Sequence, residues 1–381
     1  MGLRAGALED LVNPGVDLFA GAYAGKRVFL TGHTGFKGSW LALWLRQLGA
    51  EVYGYSLFPP PTDPSNYALA RVSQAMAGET AGDIRDRDLL RTRIADAKPH
   101  AVFHLAAQPL VRESYLSPYE TFDVNVMGTA SLLDAVRASG APCAVICVTT
   151  DKCYENREQA KGYRESDPMG GHDPYSASKG AAEILISSYR RSFFNPDALA
   201  QHGVQVASAR AGNVIGGGDW ARDRIVADMV RSLLAGQPVA VRNPHAIRPW
   251  QHVLEPLSGY LTLAAAMLSR PSPAWCEGWN FGPSEGTEAT VGVLADTFIR
   301  AWGSGTWTDA SDPHQPHEAS ILRLNVEKAG SSLCWTPRWT LEETARRTAL
   351  WYRRALRERA DAQALCLNDI RAYEGDGEDG P

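Results

Sequence analysis

The chain has 381 residues, of which 44% are hydrophobic, and its formal net charge is −5. This length can bury one large core or two smaller ones, and the mild negative charge gives no general attraction to nucleic acid or to anionic membranes. No apolar run approaches the roughly 20 residues that a membrane span needs. The six cysteines lack disulfide-framework or metal-ligand spacing, so we expect a cytoplasmic protein with reduced thiols and no metal site.

Strand-like and helix-like segments alternate as far as residue 214, after a leader of residues 1–25 that lacks the apolar run of a signal peptide. The predicted strands are Lys26–Leu30, Glu51–Leu57, a short element that closes at Gly82–Ile84, Ala101–Leu105, Cys143–Val148 and Val204–Ala209. The predicted helices are Ser39–Leu48, Asp88–Ala97, Tyr119–Ser139 and Tyr175–Ser192. This alternation predicts an α/β fold with a Rossmann-type doubly wound parallel sheet over residues 26–214.

The character of the chain changes beyond residue 214, where glycine, proline and tryptophan become frequent. We predict a smaller C-terminal lobe over residues 215–365 that mainly binds substrate, with some of its segments returning to the Rossmann domain. Val291–Ala301 and Leu341–Arg359 are predicted helices of this lobe. Residues 366–381 are predicted to form an acidic flexible tail.

A glycine-rich turn links the first predicted strand to the first helix. Its sequence is Thr31-Gly32-His33-Thr34-Gly35-Phe36-Lys37-Gly38. A strand, a glycine turn, a helix and a second strand within about 30 residues are the context of a dinucleotide site, in which pyrophosphate meets the helix N-terminus. The second strand ends at Ser56 with neither an acid for NAD nor an arginine for NADP, so residue chemistry leaves that choice open.

Two polar segments follow the fifth predicted strand and begin the next helix. Thr149 to Tyr154 emerge where the apolar strand ends, and ligands bind at the carboxyl ends of parallel strands. Tyr175 and Lys179, four residues apart, share one helix face. An ammonium beside a phenol favours the phenolate, so Tyr175 could act as a base if its pKa falls from about 10 to about 7, which needs about 4 kcal/mol.

Several long stretches carry a family resemblance. They are Thr31–Trp40, Phe103–Val111, Asn125–Thr129, Asp151–Arg157, Gly170–Lys179, Arg210–Trp220 and Arg242–Tyr260. On these residues the chain resembles the extended short-chain dehydrogenase/reductase superfamily, and within it the CDP-glucose 4,6-dehydratase family. The runs Asp151–Arg157 and Arg242–Val253 are the most specific. Thr150 stands where that family more often has serine, so the hydroxyl is kept.

The resemblance implies a reaction with NAD as cofactor and CDP-glucose as substrate. Tyr175 would take the proton of the sugar 4-hydroxyl while hydride passes to NAD⁺, with Thr150 positioning the same oxygen and Lys179 supporting Tyr175. Asp151 and Lys152 would be the acid and base that eliminate water across carbons 5 and 6, and hydride would return to carbon 6. The alternative for Lys152 is a charge that merely holds a diphosphate or the loop.

The resemblance also implies two sets of binding residues. The cofactor set is Gly32, Thr34, Gly35, Phe36, Lys37, Gly38, Ser56, Asp83, Ile84, Leu105, Ala106, Ala107, Gln108, Tyr175 and Lys179. The substrate set is Gln108, Asn125, Asn213, Arg224, Arg248, Trp250 and His317. Arg248 offers a forked permanent cation for a diphosphate. Plainer roles stand beside four of these: a helix-start cap for Asn125, a turn for Asn213, the core for Trp250 and an exposed loop for His317.

Three other functions compete with this interpretation. A sugar-nucleotide 4-epimerase shares the oxidation at carbon 4 but needs no acid and base for elimination, so Asp151 and Lys152 disfavour it. A dehydratase of another nucleotide hexose stays open. A non-enzymatic dinucleotide sensor should have lost Tyr175 or Lys179. The family resemblance further implies a homodimer, with the helices Tyr119–Ser139 and Tyr175–Ser192 of two subunits forming a four-helix bundle.

Overall fold

The computed structural model describes residues 18–159, 161–284, 286–287, 289–311 and 321–375. Its strands are β1 (Arg27–Thr31), β2 (Glu51–Ser56), β3 (Gly78–Ala81), β4 (Ala101–His104), β5 (Cys143–Val148), β6 (Val204–Ala211), β7 (Val214–Ile215), β8 (Val239–Val241), β9 (Ile247–Arg248), β10 (Gln251–His252), β11 (Gly278–Phe281), β12 (Ala289–Thr290) and β13 (Trp307–Asp309). Its helices are α1 (Phe36–Gln47), α2 (Asn66–Leu69), α3 (Arg87–Ala97), α4 (Val111–Leu116), α5 (Pro118–Phe122), α6 (Gly128–Ser139), α7 (Pro174–Ser192), α8 (Leu199–His202), α9 (Ile225–Leu234), α10 (Leu254–Ser269), α11 (Val291–Trp302), α12 (Glu327–Leu333), α13 (Leu341–Leu356) and α14 (Ala362–Glu374).

Seven strands form one parallel sheet in the order β11-β6-β5-β4-β1-β2-β3. The strand order reverses between β1 and β4, which is the switch point at which open α/β sheets bind their ligands. This sheet confirms the predicted doubly wound fold. Sequence analysis did not predict β11, which comes from the C-terminal part of the chain and pairs with β6 at the edge of the sheet.

Alternate strand residues feed two hydrophobic clusters, one on each face of the sheet. Phe29, Val102 and Val145 belong to the cluster that contains residues of α3, α6 and α7. The residues next to them in the strands point to the larger cluster, which includes α1, α10, α13 and α14. Because both faces are covered, the strands are continuous apolar runs rather than alternating ones.

The two ends of the described chain pack against this body. Phe19 and Tyr23, within the predicted leader, are buried, and the Tyr23 hydroxyl donates to the Leu261 carbonyl at 2.6 Å. The prediction of a flexible tail from residue 366 is wrong as far as residue 374, because α14 continues through this segment. Its apolar residues recur at helical spacing and bury Cys366, Ile370 and Tyr373. Residues 376–381 of that predicted tail lie outside the described residues.

Helix α7 lies close against the segment that follows β5. Its start is fixed by Asp173, whose side chain accepts from the Ser176 amide at 2.9 Å, and by Pro174 in the first turn. Gly180 makes the close approach possible, since a Cβ there would lie 2.5 Å from the Gly170 carbonyl oxygen and 3.1 Å from that of Cys153. The fold therefore brings the two predicted catalytic segments together.

The described residues also bear on the predicted environment. None of their helices is long and apolar enough to cross a membrane. All six cysteines are free thiols, five of them buried. Within the described part of the chain, no three His, Cys, Asp or Glu side chains are grouped so that they could hold a metal ion.

Candidate active site

The glycine turn forms a cradle at the N-terminus of α1. Gly32 adopts φ +77°, and a Cβ there would lie 2.7 Å from the Ala106 amide nitrogen. A Cβ on Gly38 would lie 2.1 Å from the Gly32 carbonyl oxygen. Gly35 is the N-cap of α1 and caps it with no side chain, so the first-turn amides face the cradle. Backbone that can approach this closely at a helix N-terminus fits a dinucleotide pyrophosphate.

The flank of the cradle is built from the ends of β2 and β3. The hydroxyls of Thr34 and Ser56 share a hydrogen bond of 2.6 Å. Asp83 accepts from the Arg85 backbone amide at 2.9 Å and from its guanidinium at 2.6 Å, which holds the pKa of the Asp83 carboxyl below its usual value. Ile84 is buried beside this loop. These predicted cofactor residues therefore lie together on one side of the turn.

Gln108 and Asn125 hold the loop after β4. The Asn125 amide oxygen accepts from the Gln108 backbone amide at 2.9 Å, and its amide nitrogen donates to the Ser178 hydroxyl at 2.9 Å. The Gln108 side chain donates to Thr121 at 2.9 Å. Asn125 lies in a π-helical turn, Asp123–Met127, between α5 and α6, so the helix-start cap considered for it is wrong. It ties the β4 loop to α7.

Tyr175 and Lys179 lie side by side on α7, and both are buried. Burial raises the pKa of Tyr175 to about 12, opposed by the charge of Arg224 and by the nearby Thr150. In the protein alone, removal from water outweighs the favourable contacts. The lowering of this pKa by Lys179 together with a bound oxidised nicotinamide stays a prediction. Burial also lowers the pKa of Lys179 to about 8, which the charge of Glu183 opposes.

Asp151 is the most buried of the acid and base residues that follow β5. The Thr150 hydroxyl donates to Asp151 Oδ1 at 2.9 Å, while Oδ2 has no hydrogen-bond partner within the described residues. Burial raises the pKa of Asp151, opposed by the charges of Lys152, Arg248 and Lys37. Lys152 is half-buried beside it. The site therefore holds a carboxyl that keeps its proton more readily than usual and has one buried oxygen without a hydrogen-bond partner among the described residues.

Cations from distant segments surround this carboxyl. Lys37 comes from the glycine turn, and its pKa is lowered to about 8 by burial and by the charge of Arg224, against the charges of Asp151 and Asp219. Arg224, at the start of α9, also donates to the Pro109 carbonyl at 3.2 Å. The buried Arg248 donates to the Ile247 carbonyl at 3.0 Å. These positive charges suit a site for a polyanionic ligand.

The remaining substrate residues occupy the rim and the core. Asn213 is half-buried in the turn after β6, where its carbonyl accepts from the Gln251 amide at 3.1 Å. Trp250 packs in the larger cluster and donates to the Ala289 carbonyl at 3.2 Å, which favours the core role considered for it. His317 lies outside the described residues.

Three features of the site were missed by sequence reasoning. Gly212 must be glycine, because a Cβ would lie 2.7 Å from Asp151 Oδ2 and 2.6 Å from the Pro249 ring. Asp219 is buried close to Lys37. Glu183 follows Lys179 by four residues on the same helix face, and that spacing was a signal that could have found it.

The family model for GDP-mannose 4,6 dehydratase matches residues 29–348. The chain belongs to this family. It is 52% identical, over 336 residues, to the CDP-glucose 4,6-dehydratase of Salmonella typhimurium, a match that covers 88% of this chain and 92% of that one. It is 32% identical to the dTDP-glucose 4,6-dehydratase of Streptomyces antibioticus, over 71% of this chain and 75% of the relative.

Solved structures of other proteins show the same fold. DesIV, the dTDP-glucose 4,6-dehydratase of Streptomyces venezuelae with NAD and TYD bound, has a TM-score of 0.72 at 22% identity, covering 88% of this chain and 99% of DesIV. MoeE5 in complex with UDP-glucose and NAD has a TM-score of 0.70 at 25% identity, covering 86% of this chain and 99% of MoeE5. These likenesses confirm the predicted architecture.

Asp151 gives a testable link between pH and stability. The pKa of Asp151 is higher in the folded state than in the unfolded chain. The folded protein therefore loses stability as the pH rises from the unfolded-state pKa to the folded-state pKa, and the full loss is present at any higher pH. Asn cannot ionise. We therefore expect Asp151→Asn to raise the unfolding temperature at pH 8 by about 1–3 °C, with the difference shrinking as the pH falls below the carboxyl range. Differential scanning fluorimetry across pH measures it.

Asp83→Asn is the control of opposite sign. Hydrogen bonds from Arg85 hold the pKa of Asp83 low, so its carboxylate stabilises the fold above the usual carboxyl range and loses that effect as the pH falls. Asp83→Asn should lower the unfolding temperature at pH 8. An Asp151→Asn protein that is less stable than wild type at pH 8 contradicts the conclusion that burial disfavours the ionised form of Asp151.

Proposed function

We propose that the protein is an NAD-dependent CDP-glucose 4,6-dehydratase, which converts CDP-D-glucose to CDP-4-dehydro-6-deoxy-D-glucose. The observation that carries the proposal is the buried Asp151, with Lys152 next to it, in the same site as Thr150 and Tyr175. An oxidation at carbon 4 needs only Thr150 and Tyr175, whereas an elimination needs an additional acid and base. The 52% identity to the Salmonella enzyme over most of both chains supports CDP-glucose as the substrate.

The glycine cradle and the residues on its flank would hold NAD. Bound NAD⁺ would supply the acceptor for the hydride of carbon 4 and the donor for its return to carbon 6, so the reaction would have no net redox change. Gly32 and Gly38 leave room for the pyrophosphate at the start of α1. Lys37, within the same turn, interacts electrostatically with Asp151.

Tyr175 would remove the proton of the 4-hydroxyl. Arg224 would stabilise the phenolate by charge. The Thr150 hydroxyl, which donates to Asp151 in the structure, would stabilise the phenolate after turning toward Tyr175. Lys179 adds a cation one helical turn away on the same face. Burial holds the pKa of Tyr175 near 12 even though Arg224 and Thr150 oppose it, so deprotonation further requires the bound cofactor and the substrate hydroxyl in place.

Asp151 and Lys152 would carry out the elimination. The new ketone at carbon 4 acidifies the proton on carbon 5, which Lys152 would accept, while Asp151 would donate a proton to the 6-hydroxyl as it leaves as water. After hydride returns to carbon 6, protonated Lys152 would give a proton back to carbon 5. Protonated Asp151 with neutral Lys152 holds as many protons as the ion pair does. Burial already favours the protonated carboxyl, and a sugar that displaces water favours the neutral pair further.

Arg248 and Arg224 would bind the substrate diphosphate. Both guanidiniums act on the site electrostatically, Arg248 on Asp151 and Arg224 on Tyr175. A diphosphate between them would be neutralised by permanent cations with forked hydrogen-bond donors. Asn213 and Gln108, on the loops after β6 and β4, would contact the sugar.

Incubation with NAD⁺ and four separate sugar nucleotides tests the reaction and the substrate. CDP-glucose, dTDP-glucose, UDP-glucose and GDP-mannose are supplied in turn, and mass spectrometry records the loss of one water. We expect loss of water with CDP-glucose and at least about tenfold lower kcat/KM with the others. Isomerisation without loss of mass would assign the protein to the 4-epimerases, and dehydration of another sugar nucleotide in preference would overturn the choice of CDP-glucose.

Lys152→Ala separates elimination from oxidation. The variant keeps Tyr175 and Lys179, so it should still oxidise carbon 4, but the base for carbon 5 is gone. We expect enzyme-bound NADH to accumulate, seen as absorbance at 340 nm, with turnover reduced about 10²–10⁴-fold. Lys161→Ala, which changes an exposed lysine on the following loop, is the matched control, and Tyr175→Phe should form no NADH. Normal turnover by Lys152→Ala would make Lys152 a charge that only holds the loop or the diphosphate.

We further propose a homodimer through α5, α6 and α7. Large apolar side chains are exposed on this part of the surface: Tyr119 is 84% exposed, Ile184 61% and Met127 56%. Exposed apolar residues that are grouped in this way mark a protein interface. A four-helix bundle formed with a second copy would cover them.

Analytical ultracentrifugation tests the dimer. The wild type should sediment as a dimer, and the double variant Tyr119→Lys with Ile184→Lys should sediment as a monomer, because two buried cations in each half oppose association. Val293→Lys, which changes an exposed apolar residue on α11, should leave the dimer intact. A monomeric wild type contradicts the proposal.

A further inference from the structure

Glu183 continues the row of functional side chains on α7. Tyr175, Lys179 and Glu183 follow one another at intervals of four residues, which places them on one helix face. Glu183 is 4% exposed, and its carboxylate accepts three hydrogen bonds. The donors are Thr149 Oγ1 at 2.5 Å, Ser208 Oγ at 2.7 Å and Arg210 Nη2 at 2.7 Å. No step of the proposed reaction uses this group.

The donors connect Glu183 to the strands that carry the rest of the site. Thr149 is the residue before Thr150 at the end of β5. Ser208 and Arg210 lie in β6, whose next residues lead to Gly212 beside Asp151. One carboxylate therefore joins the helix that bears Tyr175 and Lys179 to both strand ends that form the acid and base side of the site.

A second layer of hydrogen bonds holds Arg210 in turn. Arg210 Nη1 donates to the Tyr154 hydroxyl at 2.8 Å, and that hydroxyl donates to Asn280 Oδ1 at 2.7 Å. Gly278 leaves room for the guanidinium, since a Cβ there would lie 2.5 Å from Arg210 Nη2. The network runs from the segment after β5 to the edge strand β11. Buried charges are costly and gain their value from the geometry that they specify.

We propose that Glu183 is a positioning residue that fixes Tyr175 and Lys179 relative to Thr150 and keeps Lys179 in its ammonium form. The inference rests on the proposed dehydratase reaction and adds a residue outside its acid and base groups. Glu183 acts through Thr149 and Lys179, without touching the sugar.

The charges around Lys179 make Glu183 its negative partner. Burial raises the pKa values of the neighbouring thiols of Cys147 and Cys153, so both are neutral at pH 7. Burial and the charge of Lys179 lower the pKa of His104 to about 3, so it is neutral as well. Lys37 on α1 repels Lys179. Burial acts to raise the pKa of Glu183, but the charge of Arg210 and the three hydrogen bonds lower it below the usual value, so Glu183 is ionised.

Three variants separate its geometric role from its electrostatic role. Glu183→Gln keeps the shape of the side chain but removes its charge, so Lys179 should lose its proton at lower pH. In a plot of kcat against pH, the alkaline limb should therefore move to lower pH by about one unit. Glu183→Asp keeps the charge but is shorter, so kcat should fall while that limb stays in place. Thr149→Val removes only the bond to the strand end, so kcat should fall about tenfold with KM and the limb unchanged.

Controls and a second readout identify a variant that has only lost its fold. Glu343→Gln removes a carboxylate paired with arginines on α13, and Thr262→Val removes a helical hydroxyl on α10. Both lie in elements that carry none of the site residues and should behave as wild type. NAD⁺ affinity, from quenching of tryptophan fluorescence, should be unchanged in Thr149→Val. Because Glu183→Gln leaves the buried Arg210 without its counter-ion, Thr149→Val and Glu183→Asp carry the test if that variant does not fold.

The outcomes distinguish this inference from the proposed function. A wild-type protein that dehydrates none of the four sugar nucleotides contradicts the function itself. An active wild type in which Thr149→Val keeps its kcat, or in which a folded Glu183→Gln keeps its alkaline limb, overturns the role of Glu183. The proposed role of Glu183 is supported if kcat falls tenfold in Thr149→Val and if the alkaline limb of the pH profile moves only in Glu183→Gln, which removes the carboxylate charge.

Discussion

The site depends on the close packing of α7 against the segment that follows β5. Gly180 permits this packing, since any larger residue would collide with the carbonyl oxygens of Gly170 and Cys153. Tyr175 is thereby brought close to Thr150, although 25 residues separate them in the sequence. The sheet holds the surrounding elements in place. This one contact brings the end of β5 and the start of α7 together in a single reactive centre.

Removal from water gives this centre its chemical character. Burial raises the pKa values of Tyr175 and Asp151 and lowers those of Lys179 and Lys37. Each group is therefore moved toward its neutral form, and specific charges and hydrogen bonds oppose the shift. A site balanced in this way can exchange protons between neighbours at little cost, which suits a reaction with an oxidation, an elimination and a reduction in one place.

The sequence predicted those parts of the fold and site that depend on local patterns. The apolar run Cys143–Val148 is β5 as predicted, and the glycine turn precedes a helix as its spacing indicates. What sequence reasoning missed depends on contacts between distant segments. Ser208 and Arg210 meet Glu183 only because β6 lies beside β5, and β11 joins the sheet from a stretch that looked like loop. Sequence reasoning also missed that burial raises the pKa of Tyr175 in the protein alone, because the spacing reveals the neighbouring lysine but not the depth of burial.

Transfer of deuterium within the sugar tests the central claim most directly. CDP-glucose labelled with deuterium at carbon 4 is converted by the enzyme with unlabelled NAD⁺, and the product is analysed by nuclear magnetic resonance. If Tyr175 starts an oxidation at carbon 4, and if Asp151 and Lys152 then open carbon 6 to hydride return, the deuterium must appear at carbon 6 of a 4-keto product. Deuterium that stays at carbon 4, or that is lost to solvent, would contradict the account.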